Sequence, residues 1–382
     1  MKVANLISAP VSVALAIVPL NYLGEILGLF SFPADLPQVK IIKDLCLLVS
    51  ICVYSVVLCL VSKPVRIVPL FSLLGILTFS FAAALFGEYG VLGAVSGFRA
   101  ILPLVFVLIV SLIKWIPGRS EVIILKWIFY IQLALQIFEF FYGQSRWEVY
   151  ESIGLNARNA GMFTYPSTAG YFAVFTYIYI RAFNVSSGPL TLAVMISTVL
   201  SGSFGALVVL MVYFIITLCV RFVLPIFVFA SVGGYALLQA RVFEELIFIS
   251  LMSRVNIFMD IYSEVGVFSN SFGYYSNTGS FILGGPTVDS TINYILGSYG
   301  LVGLVLFLAA TCGAAILRYA SRRSLAVLVA FFLTSLLVSI LEVYPTNLLI
   351  LMLIYRFGSG SNTGVEKGMA DVQANLRAKP HW

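Results

Sequence analysis

The chain predicts an all-α fold, a polytopic transmembrane helix bundle of about 11–12 spans. Three observations carry that prediction. Of 382 residues, 61% are hydrophobic and only 10% are charged, whereas soluble domains carry about 25% charged residues. So few charges cannot cover a water-facing surface. Apolar runs of bilayer-spanning length follow one another along the chain, and such runs signal helices, because barrel strands alternate instead. Finally, the basic residues are distributed unequally between the links that join these runs, as in a multispanning protein.

Taken in order, the spans fall at roughly 4–30, 41–62, 66–87, 99–116, 121–142, 166–182, 189–200, 204–220, 222–240, 289–317, 324–341 and 346–356. The opening MKVANLISAPVSVALAIVPL has the charge and apolar run of a signal peptide but no small-residue cleavage site. It reads as a first span, kinked or ended near Pro19. The 189–200 span is short and is followed by a tight hairpin at Ser201-Gly202-Ser203. The last span is short too. It is either a half-helix that re-enters or a continuation of its predecessor through the break at Tyr344-Pro345. Residues 1–357 form a single transmembrane domain, and 358–382 are a polar, Gly/Ser-rich cytoplasmic tail.

Placing the N-terminus in the cytoplasm puts Lys40, Lys43, Arg99, Arg146, Arg158, Arg241 and Arg254 outside, and the rest of the 22 Lys and Arg inside. That is the positive-inside bias. It accounts for the net charge of +6 without a nucleic-acid partner. Two long loops then face outward, 143–165 and 241–288, while the inner links are short. The chain thus reads as a multi-pass membrane protein working on its outer, periplasmic-type face. The five Cys are scattered through apolar runs, and the only His is His381. Metal chemistry through imidazole and a His general base are therefore not expected, and neither is a cofactor. No internal repeat marks the inverted halves of a transporter.

The outward arginines are the first candidate group. A guanidinium matches phosphate oxygens two at a time, so Arg99, Arg158, Arg241 and Arg254 suit a lipid-linked diphosphate at the membrane surface. The alternative is pairing with acids such as Glu148, Glu151, Glu244, Glu245 and Asp260. Arg158 precedes Asn159-Ala160-Gly161-Met162-Phe163 and the helix opening near Pro166, a fitting anion site or an ordinary helix entry. In the long loop, Ser253, Asn256, Asp260 and Ser263 recur at helical spacing with Val255, Phe258, Met259 and Tyr262 between them. That pattern fits an amphipathic helix in the interface, with Arg254 beside its polar stripe. Gly273, Gly279, Gly284, Gly285 and Pro286 then predict a flexible segment without regular structure. Its Tyr274, Tyr275 and Asn277 are residue types that stack on and hydrogen-bond sugars, as are Asn293 and Tyr294 just beyond. Asp289 is either the N-cap of the following helix or a carboxylate that orients and deprotonates a sugar hydroxyl. Glu25, Glu139 and Glu342 lie within or at the ends of spans, where acids are expensive and often functional; Glu342, beside Tyr344-Pro345, is the second candidate base.

Several features together resemble a known family. They are a late outward loop with Ser253-Arg254 near its start, a Gly-rich middle, and Asp289-Ser290-Thr291-Ile292-Asn293-Tyr294 before Tyr299-Gly300-Leu301-Val302-Gly303. The earlier Arg158-Asn159-Ala160-Gly161-Met162-Phe163 with Pro166 and Gly170 belongs with them. The pattern resembles Wzy-type polysaccharide polymerases of the bacterial O-antigen polymerase and ligase superfamily, over roughly residues 150–350 in motif. The resemblance implies a GT-C-like membrane glycosyltransferase working without nucleotide sugar or metal. It would move the growing glycan from undecaprenyl diphosphate onto the distal sugar of a lipid-linked repeat unit, making O-antigen or another surface polysaccharide of the lipopolysaccharide kind. Arg158 and Arg254 would hold the diphosphate, with Arg241 and Arg99 as weaker candidates, and Asp289 or Glu342 would be catalytic. Expected partners are the undecaprenyl-diphosphate-linked oligosaccharide, membrane lipids, a flippase and a chain-length regulator. Ligases of the superfamily carry a His where this chain has Asp289, which favours polymerase over ligase. Another lipid-linked glycan transferase or a lipid-linked oligosaccharide flippase or transporter are the competing readings.

Overall fold

The computed structural model describes residues 37–60, 64–112, 119–142, 159–163, 166–183, 188–217, 242–286, 288, 290–313, 322–339, 341 and 345–357. The expected spans at 4–30 and 222–240, most of the 143–165 loop and the tail lie outside the described residues. The described residues are helical, with no strand among them. In chain order the helices are α1 (Pro37–Leu60), α2 (Ile67–Leu85), α3 (Gly90–Ser111), α4 (Arg119–Tyr142), α5 (Pro166–Phe183) and α6 (Gly188–Leu200). There follow α7 (Phe204–Thr217), α8 (Val242–Glu264), α9 (Asn277–Leu283), α10 (Thr291–Leu308, continued by a π-turn at Ala309–Gly313), α11 (Arg322–Leu337) and α12 (Thr346–Phe357). Four stretches are long and apolar enough to cross a membrane: Ile67–Leu85, Gly90–Ser111, Glu121–Tyr142 and Thr291–Thr311.

Burial sorts these helices by what surrounds them. The middle of α5, from Tyr171 to Ile180, is buried on every side, as is α12 from Asn347 to Tyr355 and the second half of α3. A helix that is apolar all round needs such a central position. By contrast, Phe71, Leu74, Phe81 and Leu85 on α2 and Phe140, Phe141 and Tyr142 on α4 are exposed. Large apolar side chains facing outward in this density suit a lipid surround and not water.

The bundle has two distinct ends. At one of them Arg66, just before α2, donates to Ser111 O at 3.1 Å and to Tyr355 O at 3.2 Å. Its backbone N–H donates to Leu112 O at 2.8 Å. One guanidinium thus satisfies the free carbonyls of α3 and α12, where the helix dipoles are negative. Nearby in depth, the Tyr179 hydroxyl donates to the buried Glu121 carboxylate, and Arg181 donates to the Tyr177 hydroxyl. Glu121, at the start of α4, is buried inside the bundle.

At the opposite end α3, α5, α7, α10 and α12 begin, and α2, α4, α6 and α11 finish. Two features there depart from expectation. Helix α3 starts at Gly90, nine residues before the expected 99, so Arg99 lies inside a helix and not in a link. Helix α12 is separate from α11: it begins at the end where α11 finishes and runs back toward Arg66. It does not continue its predecessor.

Helix α10 is broken at Gly300, whose φ of +74° and ψ of −172° an L side chain resists. The segment after α8 enters this break. Val302 N donates to Val267 O at 3.2 Å, and the Ser269 hydroxyl donates to Gly297 O. A side-chain carbon on Gly300 would come within 2.6 Å of Val267 O. The chain between α8 and α9 is therefore packed into the bundle. Phe272 is buried over Gly97 and meets Phe98 and Tyr299, while the Ser96 hydroxyl donates to Gly273 O at 3.0 Å.

Candidate functional site

The sequence candidates that are described gather at the second end of the bundle. Arg254 lies on α8, partly buried, in line with Ile257, Ile261 and Val265, which face the bundle. Close to it lies Tyr171, a buried residue near the start of α5. The Tyr171 hydroxyl rests on Gly205 at the start of α7, where a side-chain carbon would lie 2.2 Å away, with Leu337 at the end of α11 alongside. Arg254 thus sits near the start of α5, in a partly desolvated place where a charge acts strongly.

The start of α10 is part of the same end. The Ser290 hydroxyl accepts from Asn293 N at 3.5 Å and donates to Ser335 O at 3.1 Å, and Thr291 donates to Val338 O. Ser290 is therefore the N-cap of this helix, which corrects the alternative that Asp289 caps it. The two are adjacent and equally suited by type. The hydroxyl wins because it both accepts the helix N–H and donates to a neighbouring carbonyl, which a carboxylate cannot do.

Three of the expected sugar-contacting residues are packed away. Tyr275 and Asn293 are 5% exposed and Tyr294 is fully buried, so none of them presents an open face to a glycan. The Tyr275 ring covers Gly297. Tyr274 is partly buried and stacks on Tyr89, with ring centroids 4.5 Å apart and planes 4° from parallel; Tyr275 meets it edge-on at 5.1 Å. Burial, then Tyr274 and Glu88, push the Tyr89 hydroxyl up to about 12. Burial, then Glu264, also raises that of Tyr275. Both phenols stay neutral hydrogen-bonding groups at neutral pH. The expected flexible segment is ordered: Asn277 opens α9, capped by the Ser276 hydroxyl accepting from Gly279 N at 2.8 Å. Of the glycines that predicted irregular structure, Gly273 packs closely against α3, Gly279 and Gly285 lie against the backbone of Tyr274, and Gly284 ends α9 in left-handed backbone.

Arg99 forms an ion pair with Asp44 on α1. Both groups are part-buried, so this carboxylate already draws on the Arg99 guanidinium that the sequence offered to phosphate. Arg158, Arg241, Asp289 and Glu342 lie outside the described residues, and of Asn277 only the backbone is described.

Sequence reasoning singled out Glu139 but missed the polar ladder on α4 to which it belongs. Gln132, Gln136 and Glu139 are spaced four and three residues apart and are buried, so they share one helix face. Gln132 accepts from Met162 N at 2.7 Å and donates to Ala160 O at 2.8 Å. Gln136 donates to Asn159 O at 3.0 Å and to Ser197 O at 3.3 Å, and accepts from the Ser197 hydroxyl at 2.6 Å. Glu139 accepts from Gly161 N at 2.8 Å. The turn is also tied to α6, Asn159 N donating to Leu200 O at 3.0 Å. Gly161 has φ +58°, and a side-chain carbon there would meet Gln132 at 2.6 Å. Hydrogen bonds between membrane helices average roughly 0.6 kcal/mol. Bundle stability alone is thus a weak reason for three buried polar side chains; fixing one turn is a stronger one. Two glutamines and a glutamate at helical spacing in an apolar run were the legible signal.

No protein-family model matches this chain, and neither does any curated protein or any solved structure.

Proposed function

We propose that this chain is a membrane glycosyltransferase, a polysaccharide polymerase that lengthens glycans carried on undecaprenyl diphosphate. Arg254 carries the reading. It is a partly buried guanidinium on the helix of the long polar stretch, close to a buried tyrosine. The turn that follows Arg158 and the helix start that follows Asp289 lie at the same end of the bundle. A diphosphate leaving group needs charge stabilisation where water is scarce, and arginines preset at an interface supply it. The acceptor hydroxyl attacks the anomeric carbon of the donor sugar. The bond from that carbon to the diphosphate oxygen breaks with its electron pair, and the hydroxyl proton passes to a carboxylate, Asp289 or Glu342. The end of the bundle that carries Arg254 faces the periplasm in this scheme, and the Arg66 end faces the cytoplasm. Helix α8 lies in the membrane interface and the bundle is GT-C-like.

The test is reconstitution of the purified chain in proteoliposomes with an undecaprenyl-diphosphate-linked oligosaccharide. The expected product is a ladder of lengthened lipid-linked glycans, read by mass. Movement of the lipid across the bilayer with no lengthening would replace the polymerase with a flippase.

A further inference from the structure

Helix α8 is fastened to the bundle just beyond its own end. In the chain that leaves it, Val267 O accepts from Val302 N at 3.2 Å and the Ser269 hydroxyl donates to Gly297 O. Asn270 O accepts from Glu88 N at 2.8 Å, and Gly273 O accepts from the Ser96 hydroxyl at 3.0 Å. The Phe268 ring meets Phe79 of α2, with centroids 6.3 Å apart. The segment is thus tied to α2, α3 and α10. The break in α10 makes room for it. The Gly300 backbone, at φ +74° and ψ −172°, occupies a region that is essentially glycine's alone. A side-chain carbon there would lie 2.6 Å from Val267 O, 2.8 Å from Phe268 Cα and 2.9 Å from Phe268 C. All three are main-chain atoms, which cannot turn aside as the tip of a side chain can. Arg254 rides on the helix that this segment holds, roughly 15 Å along it from Glu264 at 1.5 Å per residue. A tilt of about 10° at the fastened end would carry it roughly 3 Å over that length, and a misplacement of about 1 Å can cost a reaction about 100-fold. We propose that Ser269 and Gly300 are positioning residues for Arg254: they seat the segment after α8 in the break of α10 and so fix the helix from which the Arg254 guanidinium is offered to a diphosphate. The proposal rests on the reading of Arg254 as a diphosphate ligand.

The experiment uses the full-length protein in lipid nanodiscs and a fluorescent polyprenyl diphosphate as probe. Spin labels at Asn256 on α8 and Val95 on α3, both exposed, report the distance between those helices. Gly300→Ala is expected to shift or broaden that distance and to weaken probe binding roughly tenfold or more. Added to Arg254→Ala it weakens binding no further, because its effect runs through that guanidinium. A change that merely loosened the fold would multiply the loss instead. Gly75→Ala on α2, where the added carbon meets nothing within 4 Å, leaves distance and binding unaltered. With binding weakened in Arg254→Ala, any of four results would overturn the proposal alone: an unaltered distance in Gly300→Ala, unaltered binding in Gly300→Ala, multiplied losses in the double variant, or the same losses in Gly75→Ala. If Gly300→Ala fails to insert, Ser269→Ala, which removes the bond to Gly297 O, takes its place under the same criteria. Unaltered binding by Arg254→Ala would overturn the diphosphate reading and this proposal together, as would displacement of the probe by undecaprenol and not by inorganic pyrophosphate.

Discussion

Removing the Arg254 guanidinium takes a positive charge from a place that is only partly open to solvent, above the buried Tyr171. If that charge stabilises a departing diphosphate, Arg254→Ala lowers glycan lengthening about 100-fold or more while the protein still inserts. Arg254→Lys fails as well, since an ammonium lacks the planar fork. Normal polymer in both variants would remove Arg254 from the chemistry. Gly161→Ala is expected to destabilise the fold: left-handed backbone costs an L residue about 1–2 kcal/mol, and the new carbon meets Gln132. A lowered thermal midpoint checks it, and an unchanged midpoint contradicts it. Tyr89 makes a third case. Its hydroxyl is pushed up to about 12 from an ordinary 10. The raised value means that its contribution to stability is complete below the ordinary value and is lost as pH rises through about 12. In a titration of phenolate absorbance, the difference between the unaltered protein and Tyr89→Phe should develop near that upper value. A difference developing near the ordinary value would contradict the stacked, desolvated environment.

Among the helices, α8 shows how much was legible and how. The spacing of Ser253, Asn256, Asp260 and Ser263 against Val255, Phe258, Met259 and Tyr262 predicts a helix, and a helix is found. At 3.6 residues per turn its surface divides into three sectors. Arg254, Ile257, Ile261 and Val265 face the bundle; Met252, Val255, Phe258, Met259 and Tyr262 are exposed and apolar; Ser253, Asn256, Asp260, Ser263 and Glu264 are exposed and polar. A helix with lipid on one flank and water on the other needs that order. Spin labels at 255, 259 and 262 are therefore expected to be reached by oxygen dissolved in lipid, and labels at 256, 260 and 263 by a water-soluble relaxant. Equal access on both flanks would place α8 elsewhere. The segment after α8 has regular structure only at Asn277–Leu283, and its packing against the bundle was not legible, because glycine signals irregular backbone and close approach alike. Only the facing surface of α3, with Gly97 under Phe272, separates the two. The break at Gly300 was hidden for a similar reason: hydropathy reports that residues 289–317 are apolar, and it is blind to the backbone angle of one glycine. The Arg99–Asp44 pair spans 55 residues of chain, and no local spacing announces it.

Taken together, the bundle has one end closed by Arg66 on two helix termini and another where polar and charged groups converge on α3, α4, α5, α8 and α10. That asymmetry was legible in part. The count of Lys and Arg separated the two faces, and the long polar stretch marked the face that carries the candidates. Which of them meet there was not legible, since burial removes Tyr275, Asn293 and Tyr294 and adds Tyr171 and the α4 ladder. On the proposed reading, one undecaprenyl diphosphate is released for each glycosidic bond formed. Counting both products from the purified, reconstituted chain and a single lipid-linked oligosaccharide is the direct test. Equal numbers of released carrier and new bonds, both abolished in Arg254→Ala, are predicted. Release without lengthening, or lengthening that survives the loss of Arg254, would contradict this mechanism.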